Sequence, residues 1–234
     1  MNTVRYQYDL DDPLVYKNEM GRYKTERQLS FIRRFLSRES MALLDIGGGG
    51  GRLAIPLADL GHRITVIDIS YEALALLKTR TGDRVEAIQS DVLTFEYPRR
   101  FDIAIAIDSL KYISSVPMTD LFAKVNSLLV MGGIFLIAEI NKSSWRNHLS
   151  QLLGRRRLRY NITSPEGYGA ALRTAGFQVD SMAGFLWMPL AFNSNSPLVR
   201  GFGAIEKMFQ LGRWVGQSPW LLIAARKVGM PPSN

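Results

Sequence analysis

The stretch Leu43-Leu44-Asp45-Ile46-Gly47-Gly48-Gly49-Gly50-Gly51-Arg52 decides the fold. An apolar run closes on an acid, five glycines follow, and the pattern Leu53, Ala54, Ile55, Leu57, Ala58, Leu60 then begins. That order predicts a buried strand, a tight turn and an amphipathic helix. Glycines at such a turn let the backbone take positive φ and let a ligand approach where Cβ atoms would block it. The helix start that follows offers free N–H groups to a carboxylate or phosphate. A flexible linker is the plain alternative, but linkers are not flanked this tightly by apolar elements.

Working outward, acids recur at the ends of later apolar runs. Arg63–Asp68 reads as a second strand, Val85–Asp91 as a third, Phe101–Asp108 as a fourth and Ile134–Glu139 as a fifth. Helical spacing separates two of these pairs, over Tyr71–Thr79 and Thr119–Val130. Strands alternating with helices imply parallel βαβ units. Ligands of such sheets bind beyond the carboxyl ends of the strands. Asp45, Asp68, Asp91, Asp108 and Glu139 are therefore expected along one edge.

The order Asp45-x-Gly47-x-Gly49-x-Gly51, then Asp68, Asp91 and Asp108, resembles the class I S-adenosylmethionine-dependent methyltransferases. The resemblance runs from about Met41 to Phe177, with a last strand at Trp220–Arg226. It departs at Gly48, where that family usually carries Cys or Ala. The fold it implies is α/β, a Rossmann-like three-layer sandwich whose mainly parallel seven-stranded sheet has an antiparallel last strand. The cofactor it implies is S-adenosylmethionine, leaving as S-adenosylhomocysteine. Gly47, Gly49 and Gly51 would pass its methionine part, with Asp45 at the strand end behind them. Asp68 would accept both ribose hydroxyls and Ile69 would lie against the adenine. Asp91 and Val92 would meet the adenine edge, and Asp108 with Ser109 would sit near the sulfonium and amino group. Each buried acid would then have a donor to meet.

Two rivals from other classes stand beside this reading. Gly49-x-Gly51-x-x-Ala54 with Asp68 satisfies the loose dinucleotide fingerprint of an NAD(P)-dependent oxidoreductase. A lone match of that kind is weak, no Tyr-x-x-x-Lys pair occurs, and Asp91 has no standard duty in a dinucleotide site. The other rival is a non-catalytic protein that binds the cofactor for a partner.

Composition narrows the field further. The 234 residues suit one domain over 1–234, with an N-terminal helical cap at 1–40 and inserts at 141–163 and 184–219 near the substrate side. With no cysteine there is no disulfide framework, thiolate nucleophile or cysteine metal site, and no metal is expected. No signal-like apolar region follows Met1 and no run approaches ~20 apolar residues, so a cytoplasmic protein is expected. Net charge is +8, and Arg155-Arg156-Arg157-Leu158-Arg159 is its densest cluster. That cluster reads as a solvated face or as a contact with phosphate or a membrane surface. Nucleic acid is disfavoured, because Asp108-Ser109-Leu110-Lys111 stands where a base-methylating enzyme would carry an Asn/Asp-Pro-Pro-aromatic motif.

The outer segments bear on the acceptor. Lys24–Ser37 reads as an amphipathic helix, preceded by Tyr16 and Tyr23. In the resembling family this part often closes over the cofactor, and a tyrosine ring can attract a sulfonium through its π-face. Of the two histidines, His62 precedes the second strand, away from the ligand edge, whereas His148 follows the fifth on the ligand side. His148 is the first candidate base, with Tyr16, Glu139 and Tyr112 behind it. Between the sixth strand, Phe177–Met182, and the last lies a long connection carrying Phe185, Leu186, Trp187, Met188 and Phe192, then Leu198, Phe202, Ile205 and Phe209 at helical spacing. It reads either as extra core or dimer interface, or as an apolar cap over a lipophilic substrate or a membrane-surface contact. The expectation is methyl transfer to a small, lipophilic molecule, at oxygen.

Overall fold

The computed structural model describes residues 18–154, 161–191 and 194–229. Strands β1 (Ala42–Ile46), β2 (Arg63–Asp68), β3 (Val85–Gln89), β4 (Phe101–Ile107), β5 (Leu129–Ile140), β6 (Phe177–Phe185) and β7 (Trp220–Lys227) form one sheet in the order β3-β2-β1-β4-β5-β7-β6. β1 to β5 pair in parallel, and β7 runs antiparallel between β5 and β6. The strand order reverses direction at β1 and β4, and a crevice opens at such a switch point beyond the carboxyl ends. The glycine stretch leaves β1 there.

Helices cover both faces, which is why the central strands are near-continuous apolar runs rather than alternating ones. On one face α1 (Glu19–Arg33), α2 (Ala54–Ala58) and α3 (Tyr71–Thr81) bury Ile32, Leu57 and Leu77 against Leu43, Ile103 and Leu136. On the other, α4 (Met118–Leu128) and α6 (Pro165–Thr174) bury Phe122 and Tyr168 with Phe135 and Phe177. Between these last two helices in sequence, α5 (Trp145–Leu152) follows β5. α6 starts as expected, with Ser164 accepting from Gly167 N and Pro165 in its first turn. Among the described residues no helix is long and apolar enough to cross a membrane.

Element bounds differ from the sequence reading for identifiable reasons. α1 starts at Glu19, five residues before the apolar spacing begins, because Asn18 caps it by accepting from Gly21 N at 2.7 Å. β5 starts at Leu129 rather than Ile134, because a register shift between Phe101 and Ile103 lets it pair with β4 earlier. β6 runs on to Phe185, which pairs with Trp220.

That extension corrects one expectation. Phe185, Leu186 and Met188 do not form an apolar cap; they are buried in the core beside Leu136 and Leu222. Phe185 is carried inward by its place in the sheet, and Leu186 takes φ 63° as the chain leaves it. The rest of the connection forms α7 (Leu198–Met208), which packs on α1. Tyr16, Phe192 and Arg155–Arg159 lie outside the described residues.

Candidate functional site

The glycine turn is shaped by what surrounds it. Gly47 has φ 70°, and a Cβ there would lie 2.6 Å from Ser109 Cβ. At Gly48 a Cβ would fall 2.6 Å from Asp45 Oδ2 and 2.9 Å from Val66 Cγ1. The departure from Cys or Ala at that position thus has a steric cause, since the loop here folds down onto Asp45. Gly49 and Gly51 also have positive φ. Gly47 N donates to Ile67 O at 2.8 Å, which ties the loop to the end of β2.

Two acids border this loop. Asp68 Oδ2 accepts from Gly49 N at 3.0 Å and its Oδ1 from Ser70 N at 2.9 Å, so its carboxylate stands beside the turn and only partly buried. Asp45 is 3% exposed. Burial pushes its carboxyl up to about 7, with Arg52 opposing and the Asp68 charge adding to the rise. Farther along the strand ends, Ile69 is 64% exposed and Asp91 is exposed, accepting from Leu93 N at 2.9 Å. Val92 is core.

The other half of the edge, at the ends of β4 and β5, is enclosed. Asp108 has φ 63°, a left-handed conformation that Asp tolerates better than most residues. Its Oδ1 accepts from Lys24 Nζ at 2.8 Å and from Trp220 Nε1 at 2.9 Å, and its Oδ2 from Gln28 Nε2 at 3.1 Å. Lys111 Nζ lies 3.5 Å from Oδ1 and Arg52 Nη2 3.7 Å from Oδ2. Burial opposes the charge, yet Lys24, Lys111 and Arg52 together hold this carboxyl well below the usual carboxylate range. Lys24 also sits 4.4 Å from the Trp220 ring centroid, and burial lowers its pKa against the pull of Asp108. Glu139 is fully buried, accepting from Lys111 N at 3.0 Å and Ile140 N at 2.9 Å. Its pKa is raised by burial, against Lys111 and with Asp108.

Sequence reasoning placed the acids at one edge and missed their partners. Lys24, Gln28, Arg52 and Trp220 converge on Asp108 from three distant parts of the chain. The one available signal was the i, i+4 pair Lys24 and Gln28 beside the apolar stripe of α1. Tyr23 has a different neighbourhood from the one expected. Its hydroxyl donates to Glu206 Oε2 at 2.7 Å and its ring fills the space over Gly203, fastening α1 to α7. His148 is exposed on α5, Tyr112 is 43% exposed, and His62 is buried with Nδ1 accepting from Met41 N.

Several features fit S-adenosylmethionine. Ser109 Oγ is buried without a hydrogen-bond partner, beside a loop that a Cβ at Gly47 would obstruct. Asp68, partly buried at the end of β2, leaves its carboxylate beside the turn, and Ile69 leaves apolar surface open. A glycine turn at the switch point, an acid ending β2 and an antiparallel β7 define a class I S-adenosylmethionine-dependent methyltransferase. The chain belongs to the methyltransferase domain family, whose model matches residues 20–182. It is similar to the ubiquinone biosynthesis O-methyltransferase of Xanthomonas euvesicatoria pv. vesicatoria, 25% identical over 178 residues, 69% of this chain and 73% of that one. The same enzyme of Paramagnetospirillum magneticum is 27% identical over 177 residues, 70% and 69% of the two chains. Among solved structures, the [4+2]-cyclase SpnF superposes with TM-score 0.66 at 22% identity, covering 89% of this chain and 83% of that one. The glycopeptide N-methyltransferase MtfA with bound S-adenosylmethionine gives 0.60 at 20%, covering 86% of each. The family match decides against the nicotinamide rival, and S-adenosylmethionine is the cofactor.

Proposed function

We propose that residues 1–234 act as one cytoplasmic methyltransferase domain that methylates an oxygen of a small lipophilic molecule, such as an isoprenoid, polyketide or lipid-linked compound. The observation that carries this reading is the match, over about 70% of the chain, to two relatives named for O-methylation in ubiquinone biosynthesis. The cofactor would be held by Gly47, Gly49, Gly51, Asp45, Asp68, Ile69, Asp91 and Val92, with Ser109 at the methionine end. Bound there, it supplies a methyl group on a positively charged sulfur, a good leaving group. The chain's own work is to align the acceptor oxygen with that methyl and to keep water out.

Enclosure of Asp108 by Lys24, Gln28 and Trp220 gives the acceptor edge a fixed wall with an aromatic member. As the acceptor oxygen bonds to the methyl carbon, its hydroxyl proton must leave. The His148 imidazole takes it in this reading, being on the ligand side of β5 and exposed. His148→Ala is then expected to lower kcat about 100-fold with cofactor affinity unchanged. Full turnover at every pH would move the proton to Tyr16 or Tyr112, since Glu139, also a candidate from the sequence, is fully buried.

Incubation with methyl-labelled cofactor and fractionated small-molecule and lipid extracts tests the whole reading. Label is expected in an organic-soluble product as a methyl ether. Label confined to amines or to polar metabolites would overturn it.

A further inference from the structure

α7 packs its Val199, Gly203 and Glu206 side inward, against Tyr23 and the core. Its outer side is not polar. Leu198, Ile205 and Phe209 are 59%, 42% and 62% exposed, and their spacing of seven and four residues puts them on one stripe. Met208 beside it and Trp214 in the next turn are each 69% exposed. Single exposed apolar residues are ordinary on any protein, but five large ones gathered within seventeen residues are not.

Within this segment the exposed charges have one sign. Between Leu198 and Gln217 the exposed charged residues are Arg200, Lys207 and Arg213. Glu206 is the only acid there, and it is 5% exposed, taken up by the Tyr23 hydroxyl and by Trp187 N. Arg200 reaches Glu19 at 3.3 Å, yet its side chain remains 78% exposed. An apolar stripe on one flank, Arg200 and Lys207 on the other flank of the same helix, and an exposed tryptophan beyond it are the features of a helix that lies in the surface of an anionic bilayer.

We infer that α7 and the turn through Trp214 form a docking surface for an anionic lipid bilayer. This deepens the reading of a lipophilic acceptor, since docking would bring the site to the phase in which such an acceptor dissolves. The surface itself is independent of which atom is methylated.

Co-sedimentation with vesicles of phosphatidylglycerol and phosphatidylcholine, against phosphatidylcholine alone, tests it. Binding is expected to the mixed vesicles and to weaken in high salt. The Phe209→Ser/Trp214→Ser double variant should bind at least about tenfold more weakly, and Lys207→Ala/Arg213→Ala should lose the preference for anionic lipid. These residues are exposed, so unchanged S-adenosylhomocysteine affinity in each variant serves as the check on folding. Wild-type protein that stays in the supernatant, or a double variant that binds as wild type does, would overturn the inference. So would a solution dimer abolished by Phe209→Ser, which would assign the face to a second copy. None of these outcomes touches the methyl-transfer assay, so the two readings fail separately.

Discussion

The two halves of the strand edge are built on opposite plans. At the ends of β1 and β2, the glycine turn, Asp68 and Ile69 are partly open and come from twenty-odd consecutive residues. The Asp68 carboxylate accepts from the nearby backbone N–H groups of Gly49 and Ser70. At the ends of β4 and β5, Asp108 and Glu139 are buried and meet side chains from far away, Lys24 84 positions and Trp220 112 positions from Asp108. In the proposed function the first half is a receptacle whose groups are left for a ligand. The second is a clasp whose charges hold α1 to the sheet. A substitution in the first should therefore be felt in binding, and one in the second in stability.

The largest effect that would sharpen this contrast is at Asp108. Removing one member of a buried charge cluster leaves the others uncompensated, which costs about 3–5 kcal/mol. Asp108→Ala is expected to lose that much in urea unfolding, and a loss below about 1 kcal/mol would break the clasp account. Next comes the connection after β6. Met188 is 1% exposed, so Met188→Ala should cost about 2–5 kcal/mol and leave the acceptor KM unchanged. A raised KM at normal stability would return this residue to the substrate.

Asp45 gives a smaller, pH-dependent effect. Its carboxyl goes from an ordinary 3.8 to about 7 in the fold, so between these values the folded protein holds a proton that the unfolded chain has lost. Stability from this group therefore falls as pH rises through that window, and the cost of burying the charge is complete above it. Asp45→Asn should raise the Tm of the ligand-free protein by about 2–4 °C at pH ~8, and by less at pH ~5. An equal gain at both pH values would mean that burial does not set the carboxyl's pKa.

The same contrast explains what was legible in the sequence. Glycine positions, strand-end acids and βα alternation are local patterns, so the sheet and the placing of the glycine turn and strand-end acids along one edge could be read directly from Leu43 to Asp91. The clasp could not, because nothing in Lys24, Gln28 or Trp220 alone says that they meet. The connection after β6 misled for another reason. Phe185, Leu186 and Met188 are apolar whether they face a ligand or the core, and only the extension of β6 along β7 settles which. Helical spacing through Leu198, Ile205 and Phe209 was visible, but their exposure was not.

Calorimetric titration with S-adenosylhomocysteine, on wild type and Asp68→Ala side by side, tests the central claim most directly. Micromolar binding is expected for the wild type, with a loss of about 1.5–3 kcal/mol in the variant, the scale of hydrogen bonds to a charged group. Thermal unfolding of the ligand-free variant should stay close to that of the wild type. Equal affinity in the two proteins would remove Asp68 from the site, and no binding by the wild type would contradict the receptacle altogether.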